Sequence, residues 1–153
     1  MDLAKLLQQH VDLMDDMFKE GLLNEQFNQL QQLQDESNPN FLEEVVSLFF
    51  EDSQRILENM TQTIGKDPID YKVIDSQVHQ FKGSSCSIGA QRVKNVCVTF
   101  RTCCDKEDKK GCQDALEEVG EEYNLIKKKL ETMLELEKQI VTIGGTLSFM
   151  EGC

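Results

Sequence analysis

The chain has 153 residues, with 16 Lys and Arg against 28 Asp and Glu, giving a formal net charge of −12 at pH 7. Such an acid surplus repels phosphate backbones and anionic lipid, which excludes nucleic acid and membrane as direct partners. The length suits one domain with a helical core, and no apolar run approaches the ~18 residues of a membrane span.

The opening Met1-Asp2-Leu3-Ala4-Lys5 has no long apolar segment behind it, so the expectation is an intracellular protein with reduced thiols. Cys86, Cys97, Cys103, Cys104, Cys112 and Cys153 contain no Cys-x-x-Cys pair, and neither histidine lies at a ligand spacing from them. No metal site is expected.

In chain order, Leu3, Leu6, Leu7, Val11, Met14, Met17 and Phe18 form one face of a helix from Asp2 to about Phe18, with Gly21 as its stop. His10 lies beside that stripe and reads as a partly packed or surface histidine. A second helix carries Leu23, Phe27, Leu30 and Leu33 and ends at Asp35-Glu36-Ser37-Asn38-Pro39. Asn38 and Pro39 form an N-cap and N1 pair for a third helix. It runs to about Ile64 on Leu42, Val45 or Val46, Phe49, Ile56, Met60 and Ile64, and Gly65 closes it.

Asp67-Pro68 repeats the cap-plus-proline signal for a fourth helix, with Asp70 as a carboxylate near its start and Ile69, Val73, Ile74, Val78 and Phe81 at a 3–4 spacing. That pattern runs into Gly83 and four small residues. Ser87 is then available to cap a fifth helix, from about Gly89 to Lys106, on Val93, Val96, Cys97, Phe100 and Cys103 or Cys104. The charged run from Asp105 to Lys110, with Gly111, is a turn.

The last helix alternates 3 and 4 through Leu116, Val119, Tyr123, Ile126, Leu130 and Met133, a pattern suited to bundle crossings of about +20°. A dimerising coiled coil would use the same stripe. Beside other unsatisfied stripes it packs within the chain, so a monomer is expected. The reading is all-α: an antiparallel up-down four-helix bundle over 38–140, preceded by two helices over 1–36, in a single domain with a loose tail over 141–153.

Projected at about 100° per residue, Ile74, Val78, Phe81 and Ser85 cluster on one side of the fourth helix, and His79 points well away from them. Asp75 lies one turn earlier, Lys82 and Gly83 one turn later, and Cys86 two turns on. A glycine inside a helix costs ~1 kcal/mol relative to alanine, so Gly83 asks for a reason. A gap beside an exposed imidazole suits approach by something bulky, and the lysine would hold an anion next to the ring. On spacing alone the plainer reading stays open: a surface histidine, with Gly83 ending the helix and Lys82 serving its dipole.

His79-Gln80-Phe81-Lys82-Gly83-Ser84-Ser85, with Ser87-Ile88-Gly89-Ala90-Gln91-Arg92-Val93 after it, resembles the signature of histidine-containing phosphotransfer proteins, the plant cytokinin-type branch in particular. Gln91 to Cys97, and Phe100-Arg101 beyond, continue the likeness, which spans about two dozen residues within an agreeing helix layout. Phe81 departs from the leucine of relatives, and Cys86 from their frequent serine. Some relatives carry asparagine in place of the histidine and cannot be phosphorylated; His79 implies competence.

The resemblance implies that His79 carries a phosphoryl group while Lys82 and Gly83 assist and make room, with Gln80, Ser84 and Arg101 in phosphate-stabilising or docking positions. Asp75, Cys86 and Phe27 are further candidates for the partner surface, although core packing is an equal reading for Phe27. Implied partners are the receiver domains of hybrid sensor histidine kinases and of response regulators, in cytoplasm and nucleus. The receiver supplies its own aspartate and Mg²⁺, so this chain needs no cofactor.

Catalytic constellations are otherwise missing. There is no phosphate loop, no kinase Gly-rich loop with its lysine, no His-Glu-x-x-His and no Gly-x-Ser-x-Gly elbow. A lone exposed imidazole fits nucleophilic transfer, in which histidine takes a group covalently and passes it on. The expectation is a phosphocarrier without kinase activity of its own. The alternative is an acidic helical adaptor or decoy that binds receiver domains and never carries phosphate.

Overall fold

The apolar stripes resolve into helices in the computed structural model, which describes residues 2–144. In chain order these are α1 (Leu3–Lys19), α2 (Glu25–Leu33), α3 (Phe41–Ile64), α4 (Tyr71–Ile88), α5 (Gln91–Asp105) and α6 (Lys109–Thr142), with no strand among the described residues. Helices α3 and α5 each pack against both α4 and α6, closing an antiparallel four-helix bundle. Helix α1 lies along α6, and α2 against α3 and α4. The bundle and its two preceding helices are therefore the expected fold. Helix α6 runs past Ile140 to Thr142, and the rest of the expected loose tail, from residue 145, lies outside the described residues.

The core settles the open positions: Val46 is buried rather than Val45, and Cys104 rather than Cys103. On α6 the stripe is fully buried within the chain, with Cys112 and Ala115 in it and Leu116 at its margin. On α1 the stripe turns toward His10, which is buried, while Val11 is half exposed. His10, expected to be partly packed or at the surface, is instead packed against another helix, its Nε2 2.9 Å from Oε2 of buried Glu137 on α6.

Three caps fall elsewhere than expected. Asn38 does not cap α3: its backbone N–H donates to the Asp35 side chain at 3.1 Å, in a turn that also ties the Ser37 N–H to that carboxylate. The helix starts two residues after Pro39, and its orphan Leu42 N–H donates to Oε1 of Gln34 at 2.8 Å. Helix α4 is capped by Asp70, whose Oδ1 accepts from the N–H groups of Lys72 and Val73, and not by Asp67-Pro68.

Ser87 is the third. Helix α4 continues through Gly83 to Ile88, so Ser87 lies within it and donates to the Ser84 carbonyl at 2.6 Å. Gly89 ends α4 in the left-handed region, at φ 75°. The Ala90 N–H reaches back to Ser85 O at 2.9 Å, closing a Schellman turn.

Candidate functional site

Because α4 does not break at Gly83, its outer face carries Asp75, His79, Lys82, Gly83 and Cys86 at helical spacing over three turns. Beneath them Ile74, Val78, Phe81 and Ser85 are buried, and Phe81 meets Tyr123 of α6 edge-on with ring centroids 6.1 Å apart. The buried row fixes the rotation of the helix and so presents His79 to solvent. Gln80 and Cys86 are exposed as well, while Lys82 and Ser84 are half-buried. A Cβ built on Gly83 would meet nothing within 4 Å, leaving open space one turn along from the imidazole.

Arg101 of α5 joins this face. Its Nε and Nη2 donate to Oδ1 and Oδ2 of Asp75 at 3.1 and 3.3 Å, and its Nη1 lies 3.0 Å from Nδ1 of His79. Asp75 raises the Arg101 guanidinium further above its ordinary range through that hydrogen bond and its charge. Lys82, by contrast, has no carboxylate within 4.0 Å among the described residues, so its charge is available to an incoming anion.

The structure therefore places Asp75, His79, Lys82, Gly83 and Cys86 along one face of α4 with Arg101 of α5 against it, while Gln80 and Ser84 lie round the side of the helix from His79. Phe27 is not part of that surface. It has no exposed area and packs in the core, so its partner-surface reading is withdrawn. Behind the face, burial pushes the Cys97 thiol up to about 12, a group that stays protonated and inert. Helical spacing placed Asp75 one turn before the histidine and the resemblance put Arg101 in a phosphate-stabilising or docking position, but neither showed that the carboxylate holds the guanidinium on the ring. Residues 26 apart in the chain give no local sign of that contact.

Among the described residues no group of three or more His, Cys, Asp or Glu is placed to hold a metal ion, and no helix is long and apolar enough to cross a membrane. The chemistry on offer is an open imidazole flanked by two cations, which can attack an electrophile with a negatively charged periphery.

Comparison with known proteins narrows the electrophile. Residues 44–139 match the family described as Hpt domain. The chain is 49% identical over 151 residues to histidine-containing phosphotransfer protein 1 of Arabidopsis thaliana, covering 99% of this chain and 98% of that protein. It is also 45% identical over 140 residues to pseudo histidine-containing phosphotransfer protein 2 of Oryza sativa subsp. japonica, covering 92% and 93%. Overall likeness therefore does not separate phosphotransfer relatives from pseudo ones. The crystal structure of a histidine-containing phosphotransfer protein from Medicago truncatula superposes with a TM-score of 0.88 at 42% identity, covering 92% of this chain and 96% of that one.

Proposed function

The chain belongs to the Hpt domain family of phosphotransfer proteins, and from that premise we propose that His79 is its phosphoryl-carrying residue in a multistep relay. The receiver domain of a hybrid sensor histidine kinase loads the group, and the receiver aspartate of a response regulator collects it. The relay is of the plant cytokinin type, run by a monomer that works in cytoplasm and nucleus. One observation carries the reading: His79 is exposed on a helix that continues past it with an empty position at Gly83. A receiver active site can therefore close over the ring without displacing this chain.

The division of labour follows from charge. A phosphoryl group in flight spreads negative charge over its oxygens, and positioning plus cations supply most of the catalysis. Lys82 supplies one such cation from this chain. The receiver domain brings Mg²⁺, and this chain contributes the nucleophile and a rigid platform. The sequence contains no phosphate loop and no kinase Gly-rich loop with its lysine, which favours a carrier over a kinase.

The test is transfer from a phosphorylated, receiver-bearing histidine kinase carrying labelled phosphate, run beside His79→Gln. Acid-labile label on wild type alone, with both proteins equally helical, is the expected result. Label on both would move the site elsewhere. With a kinase competent toward a known shuttle, no label on either would favour an adaptor that binds receivers without carrying phosphate.

A further inference from the structure

We propose that the cavity between the start of α3 and the last turns of α6 is a binding site for a small organic ammonium, a primary amine on a compact apolar body. None of Asp75, His79, Lys82, Gly83 and Arg101 lines it. It stands apart from the relay face, and neither reading depends on the other.

The cavity has a volume of about 250 Å³. At about 30 Å³ per water molecule that is far more than one ordered water needs, and it lies just below the roughly 300–1,000 Å³ of drug-sized sites. Pro39, Leu134 and Val141 supply apolar wall. Gln34 fixes the α2 side, because its Oε1 accepts from the Leu42 N–H at 2.8 Å. The shape is therefore set by the same contacts that start α3, and an occupant need not build it.

Glu137 decides the charge. Its side chain lines the cavity and is 8% exposed. Oε2 is engaged by Nε2 of His10 at 2.9 Å. No hydrogen bond reaches Oε1 among the described residues, and that atom is not sealed off in the core. An ionised carboxylate only accepts, so Nε2 carries the hydrogen of the His10 bond, and a neutral imidazole makes that bond without cancelling the charge. A carboxylate held this far from water is stabilised by every further donor it gains.

At the rim Lys138 lies 3.5 Å from Glu43, and those two charges offset each other. What remains is one negative charge, half satisfied, beside apolar wall. An ammonium brings three donors and the matching charge, and its apolar body covers Leu134 and Val141. A neutral ligand would leave the charge uncompensated, and an anion would be repelled. The same carboxylate joins α6 to α1 through His10, so an occupant that binds only the folded chain also stabilises that contact by mass action.

The experiment titrates full-length, ¹⁵N-labelled protein with phenethylamine near neutral pH and follows the amide shifts. Saturable changes are expected at Asn40, Val141 and Thr142, which line the cavity, with the shifts around His79 unmoved. Phenethyl alcohol, the neutral counterpart, should bind about tenfold more weakly, the scale of one charge-assisted hydrogen bond. Glu137→Gln should erase that preference while keeping an acceptor for His10. Val141 is half exposed and outside the His10–Glu137 pair, so Val141→Trp should fill the cavity and abolish binding with unchanged urea unfolding. That variant decides the matter even where Glu137→Gln does not fold.

No saturable shift with phenethylamine, or equal affinity for amine and alcohol, would overturn the proposal. So would binding that Val141→Trp leaves intact. N-acetyl-lysinamide presents the head group as a lysine of another protein would, and tighter binding of it than of phenethylamine would overturn the assignment to a free amine. None of these outcomes bears on His79 as phosphoryl carrier.

Discussion

At the scale of single residues, Gly83 offers a clean separation between what the fold needs and what a partner needs. It lies within α4, and an added Cβ would meet nothing within 4 Å. A helix-interior glycine of that kind is destabilising by roughly 0.5–1 kcal/mol relative to alanine. Gly83→Ala should therefore raise the urea unfolding free energy by about that amount. Gly83→Gln should unfold no more easily than wild type yet slow transfer from a receiver severalfold, because the longer side chain enters the space beside the ring. A destabilised Gly83→Ala would show that the glycine answers to the fold, and normal transfer by Gly83→Gln would remove the steric argument.

Cys86 gives a footprint of the same surface. It is exposed, whereas burial raises the thiols of Cys97 and Cys104 and protects them. Peptide-resolved alkylation should modify Cys86 well before either, and a bound receiver should suppress it. Unchanged labelling of Cys86 in the complex would place docking elsewhere. His79, Lys82 and Gly83 were legible in the sequence because their relation is set by helical spacing within one turn. The grip of Asp75 and Arg101 on the imidazole was not, because it crosses between two helices.

At the scale of helices, the errors of sequence reading fall at the ends. A side chain such as Asn38, Asp67 or Ser87 is a good cap by type, and only tertiary structure decides whether the backbone uses it. Gln34, at the end of α2, supplies the acceptor that α3 lacks, a bond invisible in the local sequence around Leu42.

The corner between α4 and α5 is where the first two helices fasten to the bundle. The Asn24 N–H donates to Gly89 O at 3.0 Å, the Gln91 N–H to Leu22 O at 3.2 Å, and Asn24 Nδ2 to Gln91 Oε1 at 2.6 Å. Gly89 has φ 75°, and a Cβ there would clash with the Asn24 side chain and stand 2.9 Å from the Phe27 backbone nitrogen. Left-handed backbone costs roughly 1–2 kcal/mol for a residue with a Cβ, and the clash adds to it. Gly89→Ala should lower stability by about 2 kcal/mol or more, read by urea unfolding, with amide exchange rising first across α2. An effect confined to α4 would show that the corner does not hold α2 in place.

At the scale of the whole molecule, the question is whether α1 is part of the cooperative unit. It precedes the residues that match the Hpt family, yet it lies along α6. Leu6 packs on Ile140 with Leu3, Leu7 and Leu136 around them, and His10 meets Glu137 with both side chains 8% exposed. The amphipathic stripe of α1 was readable from leucine spacing. The polar pair in its middle was not, because a histidine beside the stripe reads as partly packed or surface, although His10 sits four residues after Leu6 and four before Met14, in register with the core.

In a chain of net charge −12, a buried carboxylate is tolerable only with a partner, since desolvation of an isolated one costs several kcal/mol. Removing one member leaves the other buried without compensation, while removing both leaves an apolar contact. His10→Leu alone should therefore destabilise by about 3 kcal/mol, and the double variant His10→Leu, Glu137→Leu should recover most of that loss. If α1 belongs to the cooperative unit, all of these variants will unfold in one transition whether followed by helicity or by the environment of Tyr123. Additive losses in the double variant would deny the pair its coupling. A separate early transition of α1 would make it an appendage of the bundle.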